Sequence, residues 1–120
     1  MVVVTVPLIP SKVTAWKVWI RECLGPRRAE FEAFNRRMDL VAHRAWLSNG
    51  PQGPMAVVFH EGPGAKVLLQ RLATSEHPFD TWFRERISEY HGIDFAQPVE
   101  TPPPELVLDW HARKPEDALV

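Results

Sequence analysis

Cysteine is nearly absent from this chain. Cys23 stands alone among 120 residues, so no intrachain disulfide can form and a reducing, cytoplasmic setting is expected. Cys23 falls in a helical pattern and reads as a small buried side chain rather than an activated thiol. Neither sign of charge prevails. Fourteen basic and fifteen acidic residues leave a net charge of −1, and without a basic stripe no nucleic-acid partner is expected. The densest basic stretch, Arg27 to Arg37, interleaves Glu30 and Glu32 with its arginines and reads as a solvated helix face.

Other signatures are missing too. No apolar run approaches a membrane span, and Met1 to Pro7 lacks the charged start of a secretory leader; no membrane partner is expected. Gly62-Pro63-Gly64 lacks the Lys-Ser/Thr of a phosphate loop and the dinucleotide fingerprint. There is no Gly-x-Ser-x-Gly elbow. The five histidines are scattered, with no His-x-x-x-His on a helix and no carboxylate at ligand spacing, so neither a metal nor another cofactor is expected.

What is present is a repeated layout. Each half of the chain reads strand, helix, helix, strand. The first half starts at the β-branched run Val2 to Val6. Ser11 is the expected N-cap of a helix over 12–24, with Val13, Trp16, either Trp19 or Lys17, Ile20 and Leu24 on its apolar stripe. Gly25-Pro26 separates it from a second helix over 27–39 carrying Phe31, Phe34 and Met38. Leu40 to Leu47 returns as a strand. The Gly- and Pro-rich stretch Ser48 to Pro54 reads as a hairpin link to a third strand, Met55 to His60.

The second half continues with a short helix over 65–73. The clearest helix follows Pro78, with Phe79, Trp82, Phe83, Ile87 and Tyr90 at helical spacing and Gly92 as its stop. Asp80, Arg84, Glu85, Arg86 and Glu89 are expected on its solvent side. Ile93 to Pro104, with four prolines, reads as an extended crossing. Leu106 to Trp110 reads as the last strand. Residues 1–111 then form a single domain, and 112–120 a flexible C-terminal tail.

Two such halves make an α+β fold: a ferredoxin-like four-stranded antiparallel sheet with helices on one face. The strands Val2 to Val6 and Met55 to Phe59 are apolar on both sides, while helices cover only one. A lone chain would expose a large apolar patch. A homodimer through sheet-to-sheet packing removes it.

On this element order, on the doubly apolar strands and on the stretch Ser75-Glu76-His77-Pro78-Phe79-Asp80-Thr81-Trp82-Phe83, the chain resembles the dimeric α/β-barrel superfamily. The start of the fourth helix is similar to that of small polyketide cyclases within it. Trp82-Phe83 followed by His91-Gly92-Ile93-Asp94 is similar to a pattern in other small bacterial members. The resemblance spans Val2 to His111. It implies a ligand cavity between the sheet and helices of each subunit. The superfamily contains polyketide cyclases, cofactor-independent monooxygenases, lactone isomerases, haem-degrading enzymes and proteins without known activity, and no branch's catalytic residues align onto this chain.

Candidate site residues come from titratable groups placed in apolar strands. His43 lies mid-strand, facing either the cavity or the dimer seam; in the cavity, desolvation would keep it neutral as a general base. Arg44 points to the opposite face and needs a carboxylate partner, for which Asp109 is the candidate; its sharper role is an anion or enolate clamp. His60 and His111 end strands and could rim a pocket; both also fit plain surface positions. His77 and His91 fit helix-terminus chemistry. Catalytic roles are therefore assigned to His43, His60 and Arg44. Ligand contacts are assigned to Trp16, Trp46, Trp82, Phe83, Asp109 and His111, with the tryptophans supplying either core or an aromatic lining. The expected function is binding of a small aromatic or polyketide-like molecule, with cyclase-like or cofactor-independent monooxygenase-like chemistry. The alternative is a non-catalytic binding or stress-response protein in which these groups are structural.

Overall fold

A computed structural model describes residues 1–98 and 105–112. Within them the fold is α+β: a three-stranded antiparallel sheet and four α-helices. β1 spans Val2–Pro7, α1 Val13–Leu24, α2 Arg28–Arg37, β2 Ala42–Gly50, β3 Gly53–Glu61, α3 Leu68–Thr74 and α4 Pro78–His91. The sheet order is β1-β3-β2, so β3 is central. β2 and β3 form a hairpin with Gly50 opposite Gly53 and only Pro51-Gln52 at the turn. Gly53 supplies the positive φ (102°) that so tight a turn requires. Strand pairing therefore runs through most of the stretch that composition alone marks as a link.

Strand parity divides the sheet into two chemically different faces. Toward the helices stand the rows Val2–His60–His43, Val4–Val58–Ala45 and Val6–Ala56–Leu47. The helices bring their apolar stripes to this side. α1 buries Trp16, Trp19 and Cys23, and α4 buries Phe79, Phe83 and Tyr90. Phe34 of α2, fully buried, sits among Phe31, Phe79 and Phe83 with ring centroids 6.3, 5.7 and 4.7 Å away. The opposite face carries Val3, Thr5, Trp46, Met55, Val57 and Phe59. None of these joins the hydrophobic core, and Trp46 is half exposed.

Several local expectations are corrected. Ser11 is not an N-cap: Pro10–Lys12 forms a 3-10 turn, and α1 begins at Val13 with no side-chain cap. Asp80 is not on a solvated face. It is fully buried, paired with Arg37 and accepting a hydrogen bond from Ser75 Oγ at 2.6 Å. Arg84 turns inward as well and donates to the carbonyls of Leu72 and Ser75, at 2.5 and 2.9 Å. These bonds satisfy the main chain where α3 passes into α4. Leu106 to Trp110 takes no strand conformation, and its apolar side chains are exposed. Among the described residues β1 thus has only β3 as a neighbour, which leaves its other edge without a paired strand there. The proline-rich crossing and the C-terminal tail fall largely in 99–104 and 113–120, outside the described residues.

Candidate functional site

A cavity of about 1110 Å³ lies between the helix face of the sheet and the helices, lined mainly by apolar and aromatic side chains such as Trp16, Trp19, Ile20, Phe31, Val58 and Phe83. That volume is ample for a drug-sized molecule. Its strand floor ends in two imidazoles. His43 and His60 are direct partners in the β2/β3 ladder, so pairing alone sets the side chains next to each other on the same face. Their Nε2 atoms are 3.2 Å apart, and the ring of His43 is walled by Phe31 and Phe83, with centroids at 5.3 and 6.5 Å.

A third group orients the pair. His43 Nδ1 lies 3.0 Å from Asn35 Oδ1 on α2. An amide oxygen only accepts, so His43 carries its proton on Nδ1 and leaves Nε2 as an acceptor. His60 then donates its Nε2–H to His43. Burial pushes His43 down to about 3, with His60 beside it adding to the effect. Burial alone pushes His60 down to about 4. Both rings are therefore neutral at physiological pH; the His43 Nε2 lone pair becomes available to a ligand when the His60 ring turns its N–H away.

The backbone that presents this triad is tightly pinned. Asn35 O accepts from Leu40 N at 2.9 Å, Val41 N donates to Glu61 O at 2.7 Å, and Gly64 N donates to Asp39 O at 3.0 Å. Arg71 Nη1 reaches Asp39 Oδ2 at 2.8 Å. The turn after α2 and the turn after β3 are thus laced together, and His43 and His60 stand just inside that lacing.

The other candidates do not join the histidine pair. Arg44 and Trp46 border the cavity at its rim, but their side chains alternate to the other side of the sheet, where the Arg44 guanidinium lies 5.7 Å from the centre of the Phe59 ring. The expected Arg44–Asp109 ion pair is not formed; Asp109 is instead 2.6 Å from His111 in the exposed C-terminal segment. Trp46 belongs to the outer face. Trp82 packs against the core beside Phe79 and carries the guanidinium of Arg27 4.1 Å from its ring centre, outside the lining of the cavity. Trp16 and Phe83 do line the cavity. His77 caps α4, accepting at Nδ1 from Phe79 N at 3.2 Å. His91 lies 2.9 Å from the Pro7 carbonyl, and burial lowers its pKa against the opposing effect of that carbonyl, so the charged imidazole expected at a helix C-terminus is disfavoured. Cys23 is buried, its thiol pushed up to about 12 mainly by desolvation, which makes it unreactive.

Sequence reasoning named His43 and His60 separately and missed that they form a unit with Asn35. The signal was the hairpin: once Gly50 pairs with Gly53, position 43 must pair with 60. Among the described residues no group of three or more His, Cys, Asp or Glu side chains could hold a metal, and no helix is long and apolar enough to cross a membrane. Comparison with family models, curated proteins and solved structures gives no match.

Proposed function

We propose that this chain binds a small, largely apolar aromatic or polyketide-like molecule and moves a proton on it, in the manner of a cofactor-independent cyclase or isomerase. The observation that carries the reading is the neutral imidazole pair at the floor of an apolar cavity. An uncharged imidazole can take a proton from a carbon acid flanked by carbonyls, and because burial weakens it as a base, transfer requires that the enolate formed be stabilised beside it. The other imidazole and the aromatic walls hold the developing enolate in place.

The test is hydrogen–deuterium exchange at the central carbon of an aromatic 1,3-diketone, followed by NMR. Exchange is expected to exceed the buffer rate and to fall by about 100-fold or more in His43→Gln and His60→Gln. Unaltered exchange in both variants would remove the imidazoles from the reaction. A second reading is favoured by the mutual satisfaction of Asn35, His43 and His60: a binding protein in which the triad is structural. It predicts diketone binding, seen as quenched tryptophan fluorescence, with no exchange above buffer.

The same proposal includes a second copy. The outer sheet face of Val3, Trp46, Met55, Val57 and Phe59 is apolar and outside the core, which favours sheet-to-sheet packing about a two-fold axis as an α/β barrel. The exposed apolar run Leu106, Val107, Leu108 and Trp110 and the β1 edge that no strand pairs among the described residues favour a fourth strand in that assembly, giving the full ferredoxin-like sheet. Native mass spectrometry is expected to give a dimer, and Val57→Lys, which sets a charge at the centre of the face, a monomer. A monomeric wild type would sink this part.

A further inference from the structure

We infer that His43 and His60 form a two-histidine site for a divalent first-row transition ion, whose open positions take a chelating dioxygen ligand such as a catechol or an enolised 1,3-diketone. This deepens the cavity reading above and rests on it.

The argument begins with the spacing. Imidazole nitrogens bind such ions at about 2.0–2.1 Å. Two nitrogens 3.2 Å apart then subtend an angle of about 100° at a shared ion, between the octahedral and tetrahedral values. The ring centroids are 4.5 Å apart with the planes at 64°. That centroid separation is only a little longer than the nitrogen separation, so the Nε2 directions are inclined to the line joining them rather than head-on. A shared ion at that bond length sets the centroids about 5 Å apart, so a small rotation of the two rings brings their lone pairs onto one ion, which head-on rings cannot do.

The surrounding groups fit the same use. A ligating histidine commonly donates its second N–H to an oxygen, which sets the tautomer and aims the ring. Asn35 Oδ1 does this for His43. His60 needs only to shift its proton from Nε2 to Nδ1, so neither imidazole loses a proton overall when the ion enters. Imidazole donors suit Zn²⁺, Cu²⁺, Ni²⁺ and Fe²⁺ rather than Mg²⁺ or Ca²⁺. With two protein ligands and no third His, Cys, Asp or Glu nearby among the described residues, at least two positions remain for the cavity side. The cavity walls are apolar and aromatic. They favour a ligand that carries adjacent or 1,3-related oxygens on a planar apolar body. The ion would lower the pKa of a bound hydroxyl or enol and hold the anion formed. Proton and ion compete for the same lone pairs, so the metal-bound site works by polarising its ligand rather than by taking a proton on an imidazole.

The experiment uses the full chain after EDTA treatment, with Cu²⁺ and Zn²⁺ as probes. Equilibrium dialysis is expected to show one ion per chain, and electron paramagnetic resonance of the Cu²⁺ form is expected to show nitrogen coupling. His43→Gln and His60→Gln are expected to weaken binding by 100-fold or more. His111→Gln, which alters the exposed Asp109–His111 pair, is expected to leave it unchanged. Asn35→Asp is expected to tighten binding, since a carboxylate makes the imidazole a stronger donor; a variant that misfolds cannot produce that gain. 4-Nitrocatechol is expected to shift its visible absorption with the loaded wild type and not with loaded His60→Gln. Equal binding by wild type and His60→Gln, or loss of the ion in His111→Gln, overturns the site. Binding of 1-naphthol to the metal-free chain separates the two proposals. If naphthol binds and the ions do not, the cavity reading survives and this one fails. If naphthol does not bind, the cavity reading fails and the metal-site proposal that rests on it is overturned with it.

Discussion

Gly64→Ala is expected to destabilise the protein by about 3 kcal/mol or more, read as a lower denaturation midpoint in urea. A Cβ at Gly64 would stand 1.8 Å from the carbonyl oxygen of Met38 and 2.9 Å from its carbon. Both are backbone atoms at the end of α2, where neither a rotamer change nor a flexible tip can relieve the overlap. The surrounding bonds prevent the turn from backing away: Gly64 N to Asp39 O, Val41 N to Glu61 O, and Arg71 to Asp39. Gly62 is held in the same way, with φ at 132° and the Asp39 carbonyl 2.4 Å from a would-be Cβ. Gly50→Ala is the control, since nothing lies within 4 Å of its added carbon; its midpoint is expected to stay close to wild type. The loss in Gly64→Ala is also expected to reach the site, because the displaced turn directly precedes β2 and thereby His43. A variant with an unmoved midpoint would show that the two turns are not locked together.

Acid is expected to destabilise the protein well before its carboxylates titrate. In the unfolded chain His43 and His60 take up protons near the ordinary value of 6.5, while in the folded chain they hold out to about 3 and about 4. Above pH 6.5 both states carry neutral rings, and the full stability is present. As pH falls below 6.5 the unfolded state binds protons that the folded state refuses, so the equilibrium moves toward unfolding. Each such group contributes at most about 1.4 kcal/mol per pH unit. For two neighbouring rings sharing one desolvated pocket, a total loss on the order of 3 kcal/mol by pH 4.5 is expected. The loss is complete only below the folded values. His43 is faced by His60, Asn35, Phe31 and Phe83, and none of these is an acid that could hold a proton on it. Denaturation midpoints measured from pH 7.5 to 5 should therefore slope downward in the wild type. The slope should be much shallower in a His43→Gln, His60→Gln double variant. Equal slopes would mean that the two rings accept protons in place.

The helices and strands were legible because their patterns are local. Trp16, Trp19 and Cys23 recur at helical spacing and do share the buried side of α1. Phe79, Phe83 and Tyr90 do the same on α4, and Gly92 closes it in the left-handed conformation at φ 72°. The doubly apolar strands correctly announced that one sheet face would lack helical cover. Polar residues on helices were read less well. Asp80 looked like solvent-side charge, yet Arg37, 43 positions away, and Ser75 draw it inside. No periodicity encodes a partner that distant in sequence.

The candidate site shows the same division more sharply. Which residues could act as a base, and that they sit within apolar strands, follows from the amino-acid sequence alone, because residue type and side-chain alternation are local properties. That His43 meets His60, that Asn35 decides which nitrogen carries the proton, and that Arg44 and Asp109 stand apart were decided by strand register and by the packing of α2 over β2. A shift of one residue in the hairpin would have sent the His43 side chain to the outer face and turned Arg44 toward the helices in its place. Only the closed Gly50–Gly53 turn, with the lacing of Asp39, Glu61 and Gly64, excludes it.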